Sequence, residues 1–115
     1  AYNTAVGFEA GKAVTTGVWN TLIGALAGDA ITTGQYNVAV GKDSLGSVTD
    51  SESNVGIGVN AGDLITTGDN NVCIGFDTGS TGSANLTTGN NNVLVGHKCI
   101  TSAKQVHQTL ILKLF

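Results

Sequence analysis

Polar and apolar positions along the chain fall into a short phrase that returns six times: an asparagine, three residues with no charge among them, and a glycine. It reads Asn3-Thr4-Ala5-Val6-Gly7, Asn20-Thr21-Leu22-Ile23-Gly24, Asn37-Val38-Ala39-Val40-Gly41, Asn54-Val55-Gly56-Ile57-Gly58, Asn71-Val72-Cys73-Ile74-Gly75 and Asn92-Val93-Leu94-Val95-Gly96. The first five asparagines are 17 residues apart and the last step is 21. Self-similarity at a fixed period marks a solenoid in which each unit closes one turn and stacks on the next. Between Asn and Gly, the first and third residues are β-branched in every unit, which places both on one face of a short strand. The middle residue is Ala5, Leu22, Ala39, Gly56, Cys73 or Leu94, so the other face is apolar as well. A strand that is apolar on both faces requires cover on both. We read the β-branched column as the interior and Ala5, Leu22, Ala39, Cys73 and Leu94 as an outer face covered by sister copies.

The glycine column, Gly7 to Gly96, predicts a backbone dihedral that a Cβ would forbid, or a close approach of neighbouring coils. The asparagine column predicts the opposite corner, with left-handed backbone and a ladder of amides bonded from coil to coil. A small-residue corner follows at Ala10-Gly11, Ala27-Gly28, Ala61-Gly62 and Thr78-Gly79, with Ser44-Leu45-Gly46 in unit three. Then comes a second apolar column, Val14, Ile31, Val48, Ile65 and Leu86. Behind it runs Thr-Thr-Gly at residues 15–17, 32–34, 66–68 and 87–89, replaced by Thr49-Asp50-Ser51 in unit three. The expectation is an all-β, parallel β-solenoid of about six 17-residue coils, each with two strands and two corners. It spans residues 1–100 and carries a polar insertion at Gly79 to Asn85. Residues 101–115, ending Leu110-Ile111-Leu112-Lys113-Leu114-Phe115, fit a cap, the start of a stalk, or a tail taken out of its context.

Composition sharpens this. The chain of 115 residues has 17 Gly, no Met and 11% charged residues, which suits a thin, regular β structure better than a globule with a thick core. A formal net charge of −3 gives no basic footprint for nucleic acid. No apolar run of about 18 residues is present to span a bilayer. One coil supplies three or four interior side chains at about 1.5–3 kcal/mol each, against about 1–2 kcal/mol of backbone entropy per ordered residue. Stacking of neighbours, and self-association through an outer apolar column, would close that gap.

The phrase Asn-Val-Ala-Val-Gly, with Ala-Gly and Thr-Thr-Gly later in the unit, resembles the head repeats of trimeric autotransporter adhesins and similar repeats in bacteriophage tail fibres. The match runs from about residue 3 to residue 100, and the 17-residue unit is closer to the phage-fibre form. The resemblance implies a left-handed parallel β-roll assembled as a homotrimer. It also implies a structural and adhesive role at a virion tail or bacterial cell surface, with a host glycan or protein as partner, no enzymatic activity and no cofactor.

Several residues are candidates for binding. Tyr2, Trp19 and Tyr36 share the column before the asparagine, where they either stack sugar rings or seal a corner. Phe8, Ala25, Lys42, Val59, Phe76 and His97 form a variable surface column suited to specificity, together with the insertion from Ser80 to Asn85. The threonine columns offer the alternative of a monomeric ice-binding solenoid with regularly spaced hydroxyls, or simply a strand of high β propensity. Gly56-Ile57-Gly58-Val59-Asn60-Ala61 matches a dinucleotide fingerprint by letters but lacks its strand–helix context. Asp29 and Asp63 share a column without a calcium-type repeat, so no metal site is expected. His97 and His107 have no nucleophile and orienting acid in the pattern. Cys73 reads as a small hydrophobe of the outer column and Cys99 as a corner residue, in different columns and so not a bridge.

Overall fold

The computed structural model describes residues 2–80 and 86–100, together with the backbone of residues 109–112. The chain is a parallel β-solenoid, and no α-helix occurs among the described residues. Each phrase forms one short strand: β1 (Thr4–Val6), β2 (Thr21–Ile23), β3 (Val38–Val40), β4 (Val55–Ile57), β5 (Val72–Ile74) and β6 (Asn92–Val95). A further strand, β7 (Thr109–Leu112), pairs parallel with β6 beyond the last repeat. The strands stack in sequence order, so Thr4 lies on Thr21, then Val38, Val55, Val72 and Val93. The third position is likewise in register, from Val6 through Ile23 and Val40 to Val95. Six phrases bound about five complete turns.

Both predicted causes of the glycine column are present. Gly7, Gly24, Gly41, Gly58, Gly75 and Gly96 adopt φ between 125° and 136°. A Cβ on Gly7 would also lie 2.7 Å from the carbonyl of Gly24 in the next coil. The asparagine column differs in one respect. Its left-handed residue is the one before it, Tyr2, Trp19, Tyr36, Ser53, Asn70 or Asn91, at φ 56–66°. The asparagines turn inward instead. Asn20, Asn37, Asn54, Asn71 and Asn92 are buried. Each amide is fixed between coils: Asn37 Nδ2 donates to Ser51 O at 2.9 Å and to Asn20 Oδ1 at 3.2 Å, and Asn37 Oδ1 accepts the Asn54 backbone N–H at 3.0 Å.

That inward asparagine reverses the expected assignment of strand faces. Side chains alternate along a strand, so a buried Asn puts the residue two further on inside and the residues one and three further on outside. Leu22, Ala39, Cys73 and Leu94 are accordingly 0% exposed. They are core and cannot form an outer trimer face. Ala5 shares their column and is exposed because its coil is the first of the stack. The β-branched column faces outward, with Val6 58% and Ile23 39% exposed. The second apolar column is interior as predicted: Ile31, Val48, Ile65 and Leu86 are buried, and Val14 packs against the cluster they form.

Among the described residues the return half of the coil contains no second strand. Thr15 N–H and Gly17 N–H both donate to Thr32 O, at 3.0 and 3.1 Å, and Thr32 and Gly34 repeat this on Thr49 O. Two donors on one acceptor bend the backbone, so Thr-Thr-Gly turns where extended pairing was expected. In unit three, Leu45 occupies the corner position held elsewhere by Gly11, Gly28, Gly62 and Gly79, at φ 48°. Its side chain fills the interior beside Gly56, where an added Cβ would meet Leu45 Cγ at 2.8 Å. A leucine moved to the corner thus replaces the side chain missing from the next strand.

Candidate interaction face

The outward column of each strand and the corner after it make one side of the solenoid apolar. The column Thr4, Thr21, Val38, Val55, Val72, Val93 stands next to Val6, Ile23, Val40, Ile57, Ile74, Val95 on a flat parallel ladder. Past the glycine corner follow Phe8, Ala25, Lys42, Val59, Phe76 and His97. Among the described residues, ten large hydrophobics are exposed, and Val6, Phe8, Ile23, Ile57, Val59 and Phe76 belong to this wall. Phe8 is 72% and Phe76 46% exposed, and Phe76 stacks on His97 with centroids 5.3 Å apart. Lys42 is the one cation in the wall, and it pairs with Asp43. Sequence reasoning located Phe8 and Phe76 at the surface but missed the Val/Ile column beside them. The signal available was the parity set by the asparagine amides.

Tyr2, Trp19 and Tyr36 lie across the asparagine corner, at the edge of the wall. Their rings form a continuous stack: Tyr2 to Trp19 at 5.9 Å and 11°, Trp19 to Tyr36 at 5.2 Å and 8°. Register forces this, because the rings repeat with the coils at about 4.8 Å and neighbouring faces come into contact. Both faces of Trp19 are therefore taken by tyrosines. Sugars cannot stack along the length of the strip as the sequence suggested; only the two ends of the stack offer a free ring face.

Of the two threonine columns, the first spends its hydroxyls on the fold and the second is open. Thr15, Thr32 and Thr66 hydroxyls donate to carbonyls of the next coil at 3.1–3.3 Å. Thr16, Thr33, Thr67 and Thr88 are exposed, with Asp50 standing in their column. The letters that match a dinucleotide fingerprint fall on β4 and the turn after it, with no helix following.

Ionisable groups are scattered rather than convergent. Lys12 bridges Glu9 at 2.6 Å and Asp29 at 3.9 Å across two coils, and its pKa is raised by the Glu9 hydrogen bond and charge. Asp63 buries Oδ1 without a hydrogen-bond partner, and burial, then the Asp77 and Asp43 charges, raise its pKa. Cys73 is buried and its thiol is pushed up to about 12 by burial, with Cys99 adding to the shift. Neither cysteine is in a disulfide. No group of three or more His, Cys, Asp or Glu positioned for a metal occurs among the described residues. No described helix is long and apolar enough to cross a membrane. An open hollow of about 340 Å³ at the C-terminal end is lined by Asp77, Ser80, Lys98 and Ile100. Of the predicted specificity segment Ser80 to Asn85, only Ser80 is described; residues 81–85 and His107 lie outside the described residues.

Comparison of the chain with protein-family models, with curated proteins and with solved structures returned no match.

Proposed function

We propose that the chain is a structural and adhesive segment of a homotrimeric shaft, of the kind carried by phage tail fibres and bacterial surface adhesins, through whose surface a host glycan or protein is engaged. The observation that carries this reading is the apolar wall. A regular ladder of Val and Ile is costly to leave in water, and exposed apolar surface gathered on one side marks an interaction site. The corrected parity moves the self-association face from the Leu22 column to the Val6–Ile23–Val40–Ile57–Ile74–Val95 column. The wall is about 24 Å tall and about 13 Å wide, on the order of 300 Å² in plan. A standard stable interface takes about 800 Å² from each partner. A single face-to-face pair therefore falls short, whereas a closed ring engages the wall together with both flanking corners. The residue-level resemblance to fibre and adhesin repeats points the same way.

The test is the mass in solution. Sedimentation velocity at tens of micromolar is expected to give three times the chain mass, and Ile57→Glu is expected to give one. Ile57 is exposed, so the variant keeps its fold, checked by circular dichroism. Thr16→Glu, on the side away from the wall, leaves the mass unchanged. A wild-type monomer, or a trimer indifferent to Ile57→Glu, overturns the assignment.

A further inference from the structure

The aromatic stack stops abruptly, and the place where it stops has the chemistry of a sugar site. The ring face of Tyr36 turned away from Trp19 looks towards the next coil, whose residue in the same column is Ser53. The column remains in register there, because Ser53 N–H donates to Gln35 O at 3.1 Å and Asn70 N–H to Glu52 O at 3.1 Å. Tyr36, Ser53 and Asn70 share one left-handed geometry, each at φ 59°. A small side chain therefore sits where a fourth ring would stack, and a polar amide follows one coil later. Between the Tyr36 ring and Asn70 lie two coil steps, about 9.6 Å. That spacing admits one ring held face-on to Tyr36, since stacked centroids stand about 4.5–7 Å apart.

The surrounding groups select the kind of ring. Ser53 supplies a hydroxyl, Asn70 an exposed amide with donors and an acceptor, and Glu52, exposed beside Ser53, a carboxylate. An aromatic ligand would cover these polar groups without using them, at a desolvation cost. A pyranose has both surfaces required: an apolar C–H face to lie on Tyr36 and a rim of hydroxyls to bond the polar groups. We propose that Tyr36, Ser53, Asn70 and Glu52 form a notch that binds one pyranose unit of a glycan. This inference rests on the adhesive reading given above and names the ligand class and the place. Trp19 acts behind it, its ring stacked on Tyr36 at 5.2 Å and holding that ring in position.

Methyl β-glucopyranoside, methyl β-galactopyranoside and N-acetylglucosamine, each titrated into the full chain and followed by saturation-transfer and carbon–proton NMR of the tyrosine rings, test it. At least one is expected to shift the Tyr36 ring signals with a dissociation constant of about 1 mM, a weak affinity of roughly 4 kcal/mol. Ser53→Tyr extends the stack into the notch at a φ its neighbour already tolerates, so it is expected to keep the fold and abolish the shift. Tyr36→Ala abolishes binding as well, and Tyr2→Ala, at the far end, leaves it. No response to any of the three sugars, or a response that survives Ser53→Tyr, overturns the notch. Sedimentation of the same samples separates the two claims. A trimer that binds no pyranoside removes the notch and keeps the shaft; a monomer that binds one removes the trimer and keeps the notch.

Discussion

Two residues with buried polar atoms, Asn37 and Asp63, show how strictly the coil has to satisfy its side chains. The Asn37 amide bonds Asn20 and Asn54 in the neighbouring units and Ser51 at the far end of its own, so removing it would orphan the Asn54 N–H and the Ser51 carbonyl in the interior. Asp63 is the opposite case, with Oδ1 buried and unpartnered, facing the charges of Asp77 and Asp43. A carboxyl whose folded pKa lies above its unfolded value, here 3.8, weakens the fold once the pH exceeds the folded pKa. The penalty fades as pH falls through the folded pKa and is gone below the unfolded one. Asp63→Asn is therefore expected to raise the urea midpoint at pH 7, with the gain shrinking steadily towards pH 3. Equal midpoints at pH 7, or a gain that persists in acid, would show that Asp63 finds a partner in solution. The asparagine ladder was legible from the spacing of identical residues. The strain at Asp63 was not, because it depends on carboxylates that reach it from neighbouring coils.

Strand identity was also legible, and for a physical reason: two β-branched residues flanking one alternate position, closed by a glycine, have few other solutions. Which face turned inward was not. Val, Leu and Cys are all apolar, so alternation alone separates two faces without saying which is the core. The asparagine amide decides it, since an amide able to bond three groups, two of them in the adjacent coils, belongs inside. The same period hid the missing second strand, as Thr-Thr has high β propensity yet its segment crowds two donors onto one carbonyl in units one and two and three donors in unit four. Unit three, which departs from the pattern at its corner, turns out to be a compensated exchange. Gly56→Leu alone is expected to cost about 1–3 kcal/mol, because a Cβ there already meets Leu45 Cγ and the Ala61 carbonyl at 2.8 Å. Leu45→Gly alone leaves a cavity worth about 2–4 kcal/mol, partly offset by relief of its left-handed φ. The double variant recreates the arrangement of Leu22 with Gly11 and is expected to lie within about 1 kcal/mol of the wild type, a coupling readable from denaturation midpoints. Simple additivity of the two losses would mean that the side chains do not share one space.

At the scale of the molecule, stability is a sum over turns, since each coil bonds mainly to the coil before it and the coil after it. The period is then a mechanical constraint as well as a pattern. Removing residues 38–54 joins Asn37 to Val55 and brings coil four down onto coil two with every column aligned, asparagine over asparagine and glycine over glycine. Leu22 then faces Gly56 across one step, and the loss of Leu45 leaves some unfilled volume. The shortened chain is expected to unfold in one transition at a lower midpoint, having lost one turn and gained a small cavity. Removing residues 39–54 deletes one residue fewer. Each later side chain is then displaced by one position against the coils below, which turns core residues to the surface and breaks the asparagine ladder at the junction. That chain is expected to lose its cooperative transition or to keep only the coils on one side of the join. The two shortened chains differ by a single residue, Val38, so neither composition nor overall length accounts for a difference between them. If both unfold alike, cohesion comes from something other than columns in register; if only the 17-residue deletion folds, the turn itself is the unit of stability.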